Sequence, residues 1–269
     1  MAKRSLLLHY HLFKNAGSSV DRLLRESFGS AWVNFDKDLP GQKISPAEMQ
    51  EFIEAHPDIR AVSSHQIMPP VPVGDFDITP LVFLRDPIDR VKSAYLFEWQ
   101  KQLNLAEPKG SLQEYIREKL LPGKGTVIAN FQVSRLSNQR YDEIRPMPGV
   151  HDLDRLAAAQ QFIRKLPFFG LVERFDESIA LLASVTSEKF PEIECKIYRE
   201  NSSRAEDVSI NGRYNQFRKE IGEELFHEVV YRNHLDLQLY SYALGLFDIR
   251  CEQLEKQSAS VRQIIAKSA

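Results

Sequence analysis

The stretch His11-Leu12-Phe13-Lys14-Asn15-Ala16-Gly17-Ser18-Ser19, followed further on by Leu84-Arg85-Asp86-Pro87 and Ser93, constrains this chain more than any other feature. In both places an apolar run of strand length ends at polar, anion-seeking residues and passes directly into helical spacing. Strand-to-helix units of this kind belong to parallel α/β sheets, which bind ligands where their strands end. Two of them outline a site for a nucleotide carrying phosphate groups at two separate places.

In the first unit, Ser5 to Phe13 is a Leu-rich strand candidate, and Ser18 to Phe28 places Val20, Leu23, Leu24 and Phe28 at helical spacing. Ala16 and Gly17 allow close backbone approach, so successive N–H groups and the positive end of the helix can face one anion. Ser18 and Ser19 add hydroxyl donors and Lys14 a mobile charge. A lone Gly-Ser-Ser also reads as an ordinary turn with Ser as N-cap. The kinase and ATPase signature G-x-x-x-x-G-K-[ST] is absent, because Lys14 precedes Gly17. The loop therefore suits a phosphate-type anion rather than the usual magnesium nucleoside triphosphate.

In the second unit, Pro80 to Leu84 is a continuous apolar run, as in a strand covered on both faces. Arg85 stands at its C-terminal end, Asp86 and Pro87 read as N-cap and first helical residue, and Ser93 lies about two turns into the helix. Arg85 has an alternative use as an ion-pair partner of Asp86 or Asp89. An apolar strand followed by Asp also imitates a magnesium-binding element, a reading that Arg85 and Pro87 oppose.

HLFKNAGSS is similar to the H-x-P-K-T-G-G-[ST]-S type phosphosulfate loop of the carbohydrate sulfotransferases that include heparan sulfate 2-O-sulfotransferase. FLRDPIDRVKSAY resembles the 3'-phosphate motif of the same family, and a weaker likeness continues through Leu166 to Phe175 and Leu235 to Tyr240. Phe13 stands where the family has Pro and Asn15 where it has Thr; the backbone cradle depends on neither side chain. The resemblance implies an α/β, P-loop-like three-layer fold with a central parallel sheet flanked by helices. It implies a single sulfotransferase domain over 1–269, with the nucleotide-binding core at about 5–200 and a C-terminal helical part at about 213–269.

The implied donor is 3'-phosphoadenosine 5'-phosphosulfate (PAPS), giving adenosine 3',5'-bisphosphate (PAP) as product. Lys14, Asn15, Ala16, Gly17, Ser18 and Ser19 would hold its 5' end, and Arg85 and Ser93 its 3'-phosphate. Ser202 and Arg204 fall in a loop that in the family often closes over the nucleotide; a mobile surface loop is the alternative. The acceptor would be a hydroxyl of a carbohydrate, glycan or glycolipid, attacking sulfur in line. Asn130, Gln132 and Arg135 resemble part of the family's Asn-rich helix and are expected acceptor contacts, with routine helix-surface polarity as the alternative. Lys14 is the expected cation for the departing oxygen. A magnesium-dependent nucleotide or metabolite kinase and a non-catalytic nucleotide-binding module remain alternative functions.

Seven histidines compete for the role of base, at positions 9, 11, 56, 65, 151, 227 and 234. His65 ends the strand candidate Ile59 to Ser64, and consecutive parallel strands bring their C-terminal ends together. In the 2-O-sulfotransferase pattern a His-Gly-His stands here; His65 matches the second histidine, while Ser63 replaces the first. His65 is the expected base; the alternatives are that it is a structural histidine or that an acidic group such as Glu98 is the base. His9 and His11 alternate on one strand face, and His11 matches the family's His before the loop. His-x-His can bind a metal, but no Asp or Cys stands at recognisable spacing, so both read as core or supporting histidines and no metal is expected.

The net charge of -2 gives no general pull toward nucleic acid, although Arg135, Arg140 and Arg145 would suit a local basic groove. No apolar stretch reaches membrane-spanning length, and a first strand beginning by Ser5 leaves no room for a signal peptide. With only Cys195 and Cys251, these features lead to the expectation of a cytoplasmic, bacterial enzyme without membrane insertion. Ser45 with Glu48 and Ser111 with Glu114 predict helix starts through capping boxes. Pro69 to Gly74 is a stiff connection expected to line the acceptor side. Phe168 to Glu173 predicts a strand, Asp176 the cap of a helix to Lys189, and Cys195 to Arg199 a short strand. Arg213 to Leu246 predicts packed helices, and Cys251 to Ala269 a polar terminal helix.

Overall fold

The computed structural model describes residues 3–39, 41–99, 110–122, 124, 127–137, 151–193 and 209–268, with side chains to residue 256. The Leu-rich run forms β1 (Arg4–Tyr10), which lies at the centre of a five-stranded sheet of order β2-β3-β1-β4-β5. Its neighbours are β3 (Ala61–Ser64) and β4 (Phe76–Leu84), and the outer strands are β2 (Trp32–Asn34) and β5 (Gly170–Leu171). Every pairing is parallel. Leu6, Leu7, Leu8, Val62 and Leu81 to Leu84 are fully buried, as a parallel sheet covered by helices requires.

Register decides which side chains meet at the C-terminal edge. Tyr10 lies opposite Ser64 on one side and Val82 on the other, so the loops after β1, β3 and β4 emerge together. After β1 the chain moves toward β2 and β3, and after β4 toward β5. The edge between β1 and β4 is therefore the topological switch point, where open α/β sheets bind ligands. Pro80 carries no N–H, and it is tolerated because β5 meets β4 only at Phe83 and Leu84. Gly170 is required there: a Cβ would stand 2.3 Å from the Phe83 ring.

Helices α1 (Gly17–Phe28) and α3 (Pro87–Phe97) follow β1 and β4. Both predicted capping boxes are present, at the starts of α2 (Pro46–Ala55) and α4 (Leu112–Leu120). The main core joins the sheet to α1, α6 (Asp152–Lys165), α7 (Phe175–Thr186) and α10 (His234–Ser268). A second apolar cluster joins α3 and α4 to α8 (Ile210–Ile221) and α9 (Glu223–Arg232). Among the described residues, no helix is long and apolar enough to cross a membrane.

Some predicted boundaries change. The expected strand from Phe168 to Glu173 pairs only over Gly170–Leu171, then tightens into a 3-10 turn at Val172–Arg174. Asp176 falls in the first turn of α7 instead of capping it, and α7 ends at Thr186 rather than Lys189. The terminal helix expected from Cys251 is the continuation of α10, which runs unbroken from His234. The strand expected from Cys195 to Arg199 lies outside the described residues.

Candidate active site

The loop after β1 reaches α1 through two non-glycine residues with positive φ, Lys14 at 64° and Ala16 at 61°. Each such left-handed residue costs about 1–2 kcal/mol, a cost that is typical of functional turns. Ala16 is the N-cap of α1 and supplies no side-chain cap. Ser19 and Val20 N–H donate to Ala16 O, whereas Gly17 and Ser18 N–H stand before any intrahelical acceptor. These first N–H groups of α1 lie beside the exposed Ser18 hydroxyl, an arrangement that can accommodate an anion. The glycine is needed for another reason: a Cβ on Gly17 would lie 1.9 Å from His11 Nε2.

The rest of the loop is anchored inward. The buried Asn15 side chain donates to Phe83 O at 2.7 Å and to Gln132 Oε1 at 2.8 Å, so it braces the loop against the end of β4. Phe13 packs on the second apolar cluster and meets Phe97 edge-to-face, which gives the loop entry an anchor without a proline. Lys14 Nζ lies over the Phe97 ring, 4.2 Å from its centroid.

Asp86 caps α3 as expected, accepting from Ile88 N and Asp89 N. Burial pushes its carboxyl up to about 6, and the Tyr214 hydroxyl donates to it at 2.7 Å. Arg85 is buried and pairs with Asp89, through Nη2 at 2.7 Å and Nε at 3.0 Å. Its Nη1 donates to Lys14 O at 3.0 Å, so the loop after β1 and the end of β4 touch directly. Arg213 Nε of α8 lies 3.0 Å from the other Asp89 oxygen, a second guanidinium that sequence reasoning did not single out. Ser93 is buried within α3.

On the other side of β1, the His65 and His11 rings stack with centroids 3.8 Å apart. Because His11 covers Gly17, this stack carries His65 to the start of α1. His65 is nearly half exposed, at 48 %. Its Nδ1 is 2.8 Å from Asp36 Oδ2, and its backbone N–H donates to Asp36 Oδ1 at 2.8 Å. Arg135, from α5 (Phe131–Leu136), donates to His65 O and so joins the site. Desolvation lowers its guanidinium to about 10, which leaves it charged at neutral pH.

Behind His65, Asp21 of α1 stands 2.8 Å from His9 Nδ1 and 2.9 Å from His11 Nδ1. No acidic partner for this pair stands at recognisable spacing in the sequence; helix packing supplies one twelve positions after His9. Burial, opposed by the contact with Asp21, lowers His11 to about 4, so it is neutral at physiological pH. These three residues are close enough together to converge on a metal ion, and their spacing also makes the carboxylate the partner of both imidazoles.

Asn130 and Gln132 part from the expected acceptor role. Asn130 Oδ1 accepts from Leu235 N and Asp236 N at the start of α10, while Asp236 accepts from Gln132 N and Val133 N at the start of α5. The two helices cap one another. Gln132 is completely buried and holds the Arg85 backbone, accepting from its N–H at 3.0 Å and donating to its carbonyl at 2.8 Å. Ser202, Arg204, Arg140 and Arg145 lie outside the described residues.

The chain resembles an uncharacterized protein of Archaeoglobus fulgidus, with 29% identity over 255 residues covering 91% of this chain and 98% of that protein. The model of the sulfotransferase family matches residues 1–243. With an uncapped helix start at the switch point of a parallel sheet and a family match over most of its length, the chain belongs to the sulfotransferase family.

Proposed function

We propose that the protein transfers a sulfuryl group from PAPS to a hydroxyl of a carbohydrate or glycoconjugate. The observation that carries this reading is the convergence of the Lys14–Ser19 loop, Arg85 and the His11–His65 stack on one sheet edge. Backbone N–H groups at the start of α1, with Ser18 and Ser19, hold the 5' phosphosulfate, and Arg85 with Ser93 holds the 3'-phosphate. The Arg85–Asp89 pair supplies a buried, oriented guanidinium beside the loop after β1.

In the reaction, the acceptor oxygen forms a bond to sulfur while the bond from sulfur to the bridging oxygen of the donor breaks in line. Negative charge gathers on that bridging oxygen as PAP departs, and Lys14 neutralises it. The acceptor proton passes to His65. Glu98, the acidic alternative, is occupied by Lys119 at 3.0 Å, which favours His65 as the base. Arg135, joined to His65 through its carbonyl, is the described cation best placed to orient the acceptor.

His65→Ala is expected to lower kcat by about a hundredfold or more with PAP affinity unchanged. Release of PAP from PAPS, with desulfated glycans or water as acceptor, measures it. Near-normal turnover would remove His65 from the reaction.

A further inference from the structure

We propose that Asp36 is the positioning residue of His65, fixing its tautomer and stabilising the imidazolium that forms as the acceptor loses its proton. This inference rests on His65 as the base. Asp36 lies just beyond β2, the edge strand next to β3, so the parallel ends of β2 and β3 set carboxylate and imidazole side by side.

Four groups aim at this one carboxylate. His65 Nδ1 and the His65 backbone N–H each lie at 2.8 Å, the Ser64 hydroxyl donates at 2.8 Å, and Asn34 Nδ2 donates at 3.2 Å. Burial acts to raise the Asp36 pKa, but the hydrogen bonds from His65, Ser64 and Asn34 outweigh it and hold the carboxyl below its ordinary value. An ionised carboxylate only accepts hydrogen bonds, so His65 must carry its proton on Nδ1 and present the Nε2 lone pair. A group held by its neighbours in this way transmits orientation to the ring.

The surroundings agree with this role. His11, just after β1, lies against His65 as a neutral ring, with Asp21 of α1 behind it, and Arg135 of α5 is tied to the His65 carbonyl with its charge near Asp36. Asp36 is therefore the carboxylate in direct contact with His65, while Asp21 serves His9 and His11.

Two-bond nitrogen–proton spectra of protein labelled with ¹⁵N-histidine test the assignment without any acceptor. His65 is identified by the signals lost in His65→Gln. The neutral His65 ring is expected to be protonated on Nδ1, and Asp36→Asn is expected to shift it toward the Nε2-protonated form. An Nε2-protonated His65 in the unaltered protein would overturn the proposal, and that measurement needs no variant of Asp36 to fold.

Turnover supplies the second arm. Asp36→Asn should lower kcat about a hundredfold while KM for PAPS and stabilisation by PAP stay unchanged. The double variant Asp36→Asn/His65→Ala should be no slower than His65→Ala alone, because residues that act as a unit are not additive. A double variant much slower than either single one would mean that Asp36 acts independently of His65. Slow His65→Ala beside normal Asp36→Asn would overturn this inference alone, whereas normal turnover in His65→Ala would overturn the base as well.

Discussion

Lys14→Ala is expected to slow sulfuryl transfer by about a thousandfold, the upper end for removing one transition-state charge contact. Donor affinity should fall far less, by about tenfold at most, if backbone N–H groups at the start of α1 carry most of the 5' contact as proposed. The packing of the Lys14 ammonium over the Phe97 ring, which alanine would lose, is worth about 0.5–1 kcal/mol. Alanine also keeps the same cost at φ 64°, so the loop conformation should survive. A parallel fall in kcat and kcat/KM, with unfolding nearly unchanged, would identify an interaction made only in the transition state. Near-normal kcat would exclude Lys14 from the chemistry.

Gln132→Leu is expected to cost about 4 kcal/mol in urea unfolding, since a buried polar group left without a partner costs about 1–3 kcal/mol. The substitution abandons both the N–H and the carbonyl of Arg85 and removes one of two acceptors of the Asn15 amide. Leucine nearly matches the volume, so the loss would come from unmade hydrogen bonds rather than from a cavity. PAP affinity should fall with stability, because Gln132 ties Asn15 of the loop after β1 to the Arg85 backbone. A cost below about 1 kcal/mol would mean that water takes over these bonds.

The framework was legible wherever local chemistry decides local structure. The Leu-rich β1, the apolar β4 and the capping residues Ser45, Asp86 and Ser111 each act through neighbours a few positions away. The α/β class with a central parallel sheet followed from these elements. Features set by tertiary contact were not readable. The three-residue β2 carries too little periodicity to detect, and without it nothing places Asp36 beside His65. Asp21 reaches His9 and His11 only because α1 folds back over β1. Polar residues at Asn130 and Gln132 look alike in sequence whether they face an acceptor or cap a buried helix; the partners Asp236 and Asn15 that decide the matter are far away in the chain.

Within the loop, Gly17 does permit a close approach, but its partner is a side chain that only tertiary packing brings there. Gly17 is needed for the close approach of His11, while the left-handed turns fall on Lys14 and Ala16. That arrangement links the placement of His65 to the fold, since the same His11 ring that excludes a side chain at position 17 also stacks on His65.

The most direct test of the donor site is thermal unfolding with PAP, adenosine 5'-monophosphate or ATP, each with magnesium and with chelator. A ligand at a hundred times its dissociation constant stabilises the folded state by about 2.7 kcal/mol, which gives a visible shift of the midpoint. The account predicts a shift with PAP that is the same with magnesium and with chelator, and a smaller one with the monophosphate, which lacks the 3'-phosphate met by Arg85. A shift confined to ATP with magnesium would contradict it.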